Sequence, residues 1–347
     1  MAYLMNSGTS STLRKPSQED LILMLNAPES PIYGSMRKGK KPQGLIHYYN
    51  VRTFPDAVVT TVADGTDRTA SDAADFESLK SRIGIRPHQR DRTVSTGNLT
   101  IELEHQYGIA NLHADNIMTA QAAVVRDIEN VLGGTQDSAL SSNSHTTRGM
   151  GCWLGLTTVA DSLTIPSGAA VASGAVISLG SNAAASAVTE TNLRTMLQSI
   201  HDASRKPIPN CRGFVSSALK TAISNLMITA TVGDTTASHT VPLRTFSGST
   251  AGNEFGYMAD YYKSDFGRVE LIVTTELPTG TTDEAKYPYG YFIDPNVWEY
   301  LPVEPLHVAH IPQNVGGKTS VVRASFFLKC HAPNRNGVIH WDYEATP

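Results

Sequence analysis

Two strands with marked ends constrain the fold of this chain more than any other feature of its sequence. The first runs from Val269 to Thr275, where alternate residues are apolar, so at least one face is predicted to be buried. Asp265-Phe266-Gly267 precedes it and combines a side-chain acceptor, an aromatic anchor and a residue that tolerates positive φ, as tight turns require. The second strand begins near Tyr289 and is halted by Asp294-Pro295. These features are typical of a scaffold and not of a catalytic site.

Three amphipathic helices are also predicted. The segment from Asn111 to Leu132 has apolar residues at helical spacing and is closed by Gly133-Gly134. At about 1.5 Å per residue it reaches about 33 Å, long enough to serve as a spine. Two shorter helices are predicted over Thr191 to Ser204 and Ser216 to Met227. Strands precede and follow the helices with few strand–helix–strand alternations, which favours an α+β chain.

Four more segments are predicted to be strands. Residues Gly44 to Val62 are strand-like and Thr93 to Glu104 alternates clearly, so we expect two strands joined by a long loop. Near the C-terminus, the alternating segment Val322 to Cys330 is expected to pair with Val338 to Trp341 across the turn at Pro333 to Gly337. The chain is therefore predicted to end in a sheet.

Two clusters of charged residues stand out in the first third of the chain. In the long loop an acidic set, interrupted only by Arg68, precedes a basic set that contains Asp91. The acidic set is Asp64, Asp67, Asp72, Asp75 and Glu77; the basic set is Lys80, Arg82, Arg86, Arg90 and Arg92. A separate basic cluster comprises Arg37, Lys38, Lys40 and Lys41. We interpret that cluster either as a solvated loop or as a contact with nucleic acid or an acidic neighbour.

The composition limits which partners the chain can bind and which cellular compartment suits it. The chain has 28 Lys and Arg against 32 Asp and Glu, a net charge of −4, so any contact with nucleic acid is expected to be local. Its 3 cysteines lie far apart, which argues against a disulfide framework and against clustered zinc ligands. Residues Met1 to Leu25 lack the pattern of a secretory signal, and no apolar run is long enough to span a bilayer. We expect a soluble protein.

Motifs for catalysis are not found. Glu304, His307 and His310 have a spacing that suits metal ligands on a helix, but nearby prolines disfavour a helix there. The glycines from Gly149 to Gly155 lack the G-x-G-x-x-G spacing, and no G-x-S-x-G elbow or phosphate loop occurs. Cys152, next to Trp153, is expected to be a buried apolar group. We therefore expect no enzyme activity, cofactor or metal site.

Several motifs in a fixed order resemble one protein family. The turn that starts at Tyr262, the two strands, Trp298 and a long terminal β segment resemble major capsid proteins of tailed bacteriophages, whose fold is shared with encapsulin shells and herpesvirus capsid floors. Gln18 to Leu21 and Ala27 to Lys40 resemble the family's N-terminal arm. Arg126 to Glu129 resembles the end of its spine helix, and Thr147 to Leu154 the segment after that helix. The motif residues are Tyr262, Asp265, Phe266, Gly267, Asp294, Pro295 and Trp298.

The resemblance implies an α+β tailed-phage major capsid fold with an N-terminal arm, an extended β-hairpin loop, a long spine helix, and peripheral and axial domains. In this chain it implies an arm over 1–43 and the hairpin loop over 44–104. The peripheral domain with the spine helix would then be 105–160, and the axial domain 161–300. Residues 301–347 would be a C-terminal β segment that returns to the peripheral domain.

The resemblance also implies a structural function. Copies of the chain would assemble as pentamers and hexamers into a closed icosahedral head around double-stranded DNA, which they would contact non-specifically. A portal protein is an expected partner, scaffold and decoration proteins are further candidates, and no membrane or cofactor is involved. The protein would be made in the host cytoplasm and end in the virion.

The long loop resembles the extended hairpin that such subunits lay over a neighbour. We therefore predict that its acidic and basic sets pair between subunits; the alternative is that they pair with each other or face water. Charge reversal at Arg86 and Arg90 is then expected to impair assembly without affecting folding. Two other functions remain open at this point: an encapsulin-like compartment shell with a protein cargo, and a soluble α+β hydrolase or binding protein.

Overall fold

The computed structural model describes residues 30–52, 64, 80–97, 112–141, 144–205, 208–226, 229–234, 237–242, 260–280, 282, 285–311 and 317–344. Within this part the chain forms two larger sheets with helices packed on them, so the predicted α+β class is confirmed. The helices are α1 Pro31–Ser35, α2 Leu112–Gly133, α3 Met150–Trp153, α4 Glu190–Ser204 and α5 Ser217–Leu226.

The strands in the described part are numbered in chain order. The first ten are β1 Arg37–Lys38, β2 His47–Arg52, β3 Lys80–Ile85, β4 His88–Thr96, β5 Ala139–Ser141, β6 Ser144–Thr146, β7 Val176–Ser181, β8 Ile208–Val215, β9 Thr229–Asp234 and β10 Ala237–Pro242. The others are β11 Tyr261–Ser264, β12 Gly267–Val273, β13 Lys286–Ile293, β14 Trp298–Ile311, β15 Lys318–Cys330 and β16 Gly337–Asp342.

The spine helix α2 packs on a four-stranded sheet of order β1-β14-β15-β4. Strand β1 runs parallel to β14, and the other neighbours are antiparallel. Val124, Ile128 and Leu132 of α2 are buried in one hydrophobic core with Val322 and Phe326 of β15. This apolar stripe recurs at helical spacing, which explains why the helix was predictable within one residue at each end.

A six-stranded mixed sheet, of order β11-β12-β8-β13-β16-β7, forms the second body of the subunit. Helices α4 and α5 cover it, and Leu193 and Leu219 share a core with Val269 and Leu271 of β12. Helix α4 starts at an N-cap, Thr189, whose side chain accepts a hydrogen bond from the backbone N of Asn192 at 3.2 Å. Both helices and the strand β12 lie within about two residues of their predicted positions.

The predicted partner of the last strand is wrong. Strand β16 does not pair with β15; it lies between β13, to which it is antiparallel, and β7, to which it is parallel. A 3₁₀ turn at Pro333–Arg335 redirects the chain after β15 into the second sheet. Alternation predicts a strand but does not identify its partner. The last strand therefore lies in the sheet built mainly from residues 161–300, and the predicted domain boundaries stay a prediction.

The hairpin is also arranged differently from the prediction. Strand β2 pairs with β3, from His47 opposite Ile85 to Arg52 opposite Lys80, so the return strand starts earlier than predicted. Pro87 separates β3 from β4, and β4 pairs with β15 in the four-stranded sheet instead. The alternating residues Leu99, Ile101 and Leu103, on which the prediction depended, lie outside the described residues.

Candidate functional site

The motif residues Asp294 and Trp298 lie where the chain crosses from one sheet to the other. Asp294 follows β13, and Trp298 begins β14 after a 3₁₀ turn at Pro295–Val297. The backbone N of Asp294 and the indole Nε1 of Trp298 both donate to Oδ1 of Asn336, at 3.0 and 2.9 Å. Asn336 is fully buried and lies in the return crossing from β15 to β16. One amide side chain thus joins the two crossings.

Further bonds fix the same junction. The Asp294 carboxylate accepts from the backbone N of Asn296 at 3.0 Å and pairs with Nη2 of Arg335 at 2.8 Å. The backbone N of His331 donates to the Val297 carbonyl at 2.9 Å. Asp294 is 2% exposed, so this carboxylate is held by partners and not by water. The junction thus ties the two chain crossings between the sheets together through buried hydrogen bonds and an ion pair.

The second part of the motif is a two-residue turn. Ser264 pairs with Gly267 across the ladder of β11 and β12, so Asp265 and Phe266 form the turn. The Ser264 hydroxyl accepts from the Phe266 backbone N at 3.1 Å, a role we had predicted for Asp265. Gly267 has a positive φ of 159°, which is close to extended backbone. Tyr262 is buried in the core beneath the turn.

The basic cluster lies beside the four-stranded sheet. Strand β1 adds Arg37 and Lys38 to the edge of β14, opposite Glu299 and Tyr300. The Lys38 ammonium lies 5.3 Å from the centre of the Tyr33 ring, and Lys40 and Lys41 are exposed. Arg37 and Lys38 are therefore positioned by a short parallel strand, whereas Lys40 and Lys41 follow it on the surface.

Three arginines of the basic set pair with carboxylates of their own chain. Arg90 and Arg92 contact Asp127 of the spine helix through Nε at 3.0 and 2.8 Å. Burial raises the pKa of Asp127, but hydrogen bonds from the two arginines outweigh it and hold that pKa below its usual value. Arg86 contacts Asp161 at 2.8 Å, and this bond lowers the pKa of Asp161 well below its usual range.

The ion pair of Arg86 corrects the expectation that reversing its charge leaves folding unaffected. Its side chain and that of Asp161 are each 10% exposed, so Arg86→Glu would bury two like charges together. Folding is therefore expected to suffer along with assembly. Arg82 lies 3.8 Å from the centre of the Tyr48 ring, and Asp64 is exposed. The other acidic residues, Asp67, Asp72, Asp75 and Glu77, and the Lys80 side chain lie outside the described residues.

Two buried polar groups were missed by sequence reasoning. The Glu129 carboxylate of α2 is fully buried and accepts from the backbone N atoms of Ile32 and Tyr33, both at 2.8 Å. Arg148, 1% exposed in its side chain, pairs with Asp137 at 2.7 Å. Glu129 lies in the segment Arg126 to Glu129, which resembles the end of the family's spine helix. Its hydrogen-bond partners are far away in the sequence, so residue spacing does not predict them.

The described residues give no group of side chains that could hold a metal ion. Glu304 and His307 are 3.3 Å apart, but they lie on the irregular strand β14, and Nδ1 of His310 is within 2.7 Å of the Ser320 hydroxyl instead. Burial raises the pKa of the Cys152 thiol to about 12, so this cysteine is protonated near neutral pH. No helix in the described part is long and apolar enough to cross a membrane.

The fold is shared with solved phage capsid structures and with an encapsulin. The structure is similar to the capsid structure of the cyanophage P-SCSP1u, with a TM-score of 0.57, 11% identity, and coverage of 100% of this chain and 97% of that chain. It is similar to a structure from Mycobacterium phage Ogopogo, with a TM-score of 0.59, 10% identity, and 97% and 99% coverage. The holo-SrpI encapsulin complex from Synechococcus elongatus PCC 7942 has a TM-score of 0.52, 11% identity and 99% coverage of both chains. Such low identity shows the fold alone.

The family follows from the sequence profile. The SU10 major capsid protein family matches residues 5–341, nearly the whole chain, so the chain belongs to this family. No curated protein matches by sequence. The family confirms the predicted resemblance: the protein is a structural component of a phage capsid shell, where copies assemble into a lattice.

Proposed function

We propose that the chain assembles into a closed icosahedral head that encloses double-stranded DNA, and that it has no catalytic role. The family match over residues 5–341 carries this proposal. With a net charge of −4, the chain is expected to contact DNA only through local clusters such as Arg37 to Lys41, without reading bases. A portal, and scaffold or decoration proteins where the lattice needs them, complete the particle, which forms in the host cytoplasm.

The motif residues Tyr262, Asp265, Phe266, Gly267, Asp294, Pro295 and Trp298 act in this proposal as the scaffold that keeps the two sheets in one orientation. The hairpin loop and the N-terminal arm carry the contacts between subunits. Individual contacts can be weak, because every subunit makes many of them and the lattice multiplies their effect.

The test is sedimentation with negative-stain electron microscopy on the protein expressed alone, followed by nuclease treatment and extraction of the particles. Shells, tubes or capsomer-sized rings with protected nucleic acid support the proposal. A monomer or dimer that persists across salt and concentration, with scaffold supplied, contradicts it.

A second candidate is an encapsulin-like compartment, because the fold is also similar to that of an encapsulin. Both shells would assemble, so the particle contents decide between them. Particles that reproducibly hold one protein cargo and no nucleic acid favour the compartment.

A further inference from the structure

The junction between the sheets contains the one Asn-Gly pair in the sequence, Asn336-Gly337. An asparagine before glycine deamidates more readily than one before any other residue. Glycine has no Cβ atom to hinder its backbone N from reaching the side-chain carbonyl of the preceding residue. The reactivity of this pair therefore depends on how the fold holds its two residues.

Each residue of the pair meets a separate packing requirement. Asn336 provides the buried acceptor and donors that join the two crossings. A Cβ atom on Gly337 would lie 2.8 Å from Cγ of the fully buried Met196 and 3.0 Å from the carbonyl oxygen of Ala175, contacts that a packed core cannot relieve without a shift. The fold thus requires asparagine and glycine in succession, and the chain carries the reactive pair as a result.

The native fold blocks deamidation at this pair. The Asn336 amide is fixed at its oxygen by the two donors from the outgoing crossing, and its Nδ2 donates to the carbonyl oxygens of Ala332 and Pro333 at 2.9 and 3.2 Å. Asn336 has an extended backbone with a ψ of 160°, and Gly337 is paired with Phe292 of β13. Attack by the backbone N of Gly337 requires rotation about ψ of Asn336, which this pairing prevents.

We propose that Asn336 is a modification site that reacts only when the junction opens, and that the product keeps the chain from folding again. In the reaction the backbone N of Gly337 loses its proton to solvent and bonds to Cγ of Asn336, while the Cγ–Nδ2 bond breaks and ammonia leaves. One water molecule then opens the resulting succinimide at either carbonyl, which gives aspartate or isoaspartate. The net change exchanges ammonia for water and transfers no electrons.

Neither product can rebuild the junction. A carboxylate at position 336 has no N–H donor for the Ala332 and Pro333 carbonyls, and it adds a negative charge to a junction that already buries the Asp294 carboxylate. Isoaspartate also adds a backbone atom before β16. Folded subunits therefore keep the amide, whereas chains that stay unfolded lose the ability to fold over time.

The first measurement compares deamidation of the full chain at mildly alkaline pH, natively and in urea, by mass spectrometry of its peptides. Asn334, which is followed by Arg335, is the reference within the same segment. We expect Asn336 to deamidate at least about a hundredfold faster in urea than in the native subunit, because the reaction requires opening of the junction. In urea Asn336 is also expected to react faster than Asn334. Equal rates at Asn336 in the two states would overturn the proposal.

A second measurement weakens the junction without unfolding the chain. W298F removes one donor to Asn336 and is expected to raise the native rate about tenfold, the effect of one buried hydrogen bond. W341F is the matched control, since Trp341 lies in β16 and contacts the Tyr287 ring outside the junction. An acceleration by W341F as large as that by W298F would show that the junction does not control the reaction. If W298F does not fold, R335Q, which removes an ion pair of the junction, is judged by the same outcomes.

The last measurement tests what the product does. Chains aged in urea are diluted, and the refolded fraction is followed by tryptophan fluorescence. This fraction should fall in proportion to the fraction deamidated at position 336. Ageing in urea at mildly acidic pH, where the reaction is slow, controls for exposure to urea and should leave refolding intact. Deamidated chains that refold as well as fresh ones, or an equal loss at both pH values, would contradict the proposed effect of the modification.

Discussion

At the scale of single residues, Asn336 explains how two sheets are held in one orientation. Its Oδ1 accepts two buried hydrogen bonds from the outgoing crossing, and its Nδ2 donates to the Ala332 carbonyl at 2.9 Å in the return crossing. Because Asn336 has no exposed surface, water cannot replace these bonds without opening the junction. A side-chain amide, with both an acceptor and donors, is suited to this position.

Replacement of Asn336 by alanine is expected to destabilise the subunit by roughly 2–4 kcal/mol. The backbone N of Asp294 and the indole of Trp298 would lose their acceptor while buried, and each such loss costs about 1–3 kcal/mol. Denaturant unfolding of the unassembled subunit measures the change. N296A is the control: the exposed Asn296 contributes one side-chain hydrogen bond to the Asp294 carboxylate at 3.1 Å and leaves no buried donor without an acceptor, so its loss is expected to cost less than about 1.5 kcal/mol. Equal effects of the two substitutions would contradict the role of Asn336.

Glu129 is expected to make stability depend on pH. Burial, opposed by two backbone hydrogen bonds, raises its pKa from 4.5 to about 7. The folded state therefore binds a proton that the unfolded state releases between pH 4.5 and 7, so the stabilisation is present below pH 4.5 and is lost as pH rises to 7. The loss amounts to at most about 3 kcal/mol. In unfolding titrations, E129Q should lack this slope; an E129Q profile parallel to wild type would contradict the assignment.

At the scale of secondary-structure elements, local patterns predicted the elements, and non-local contacts decided their partners. The helix Leu112–Gly133 was predictable because its apolar stripe and its terminating glycines are properties of the local sequence. The pairing of β16 with β13 was not predictable, because several strands have similar alternation and could each pair with β16. The turn at Pro333–Arg335 determines which of them does. The charged residues were found, but Asp127 and Asp161, the partners of the arginines, are distant in sequence and carry no local signal.

The short strand β1 is expected to depend on the absence of a side chain at Gly39. The backbone N of Gly39 donates to the Tyr300 carbonyl at 2.9 Å, and a Cβ atom there would overlap Cδ2 of the buried Leu301. G39A should therefore displace β1 from β14. Trypsin, which cleaves after the neighbouring Lys38 and Lys40, should cut the variant several-fold faster than wild type.

The matched control for Gly39 is G34A. A Cβ atom on Gly34 would meet no atom within 4 Å, and Gly34 lies in helix α1, where alanine is favoured. G34A is thus expected to be cleaved no faster than wild type. Equal protection of G39A and wild type would show that Leu301 adjusts without moving the strand.

At the scale of the whole molecule, the motif residues at the sheet junction and the residues proposed to make the lattice are separate sets. Asp294 and Trp298 are buried at the sheet junction, where both donate hydrogen bonds to Asn336. The basic residues Arg90 and Arg92 of β4 lie on the surface, where they pair with Asp127 of the spine helix. Because Asp294 and Trp298 are buried, exposed charges away from them can be changed with little effect on folding, and assembly can be tested independently of stability.

Contact with DNA is expected to depend on the exposed end of the basic cluster. Since the chain carries a net charge of −4, binding to duplex DNA requires a local patch such as Lys40 and Lys41. K40Q/K41Q should weaken binding of the unassembled subunit and reduce the magnitude of the slope of log K against log salt concentration by about 2, since each phosphate contact contributes about 0.9. Shell formation should persist. R194Q/K263Q removes the same charge elsewhere and serves as control; if both variants change the slope equally, net charge and not this cluster governs the contact.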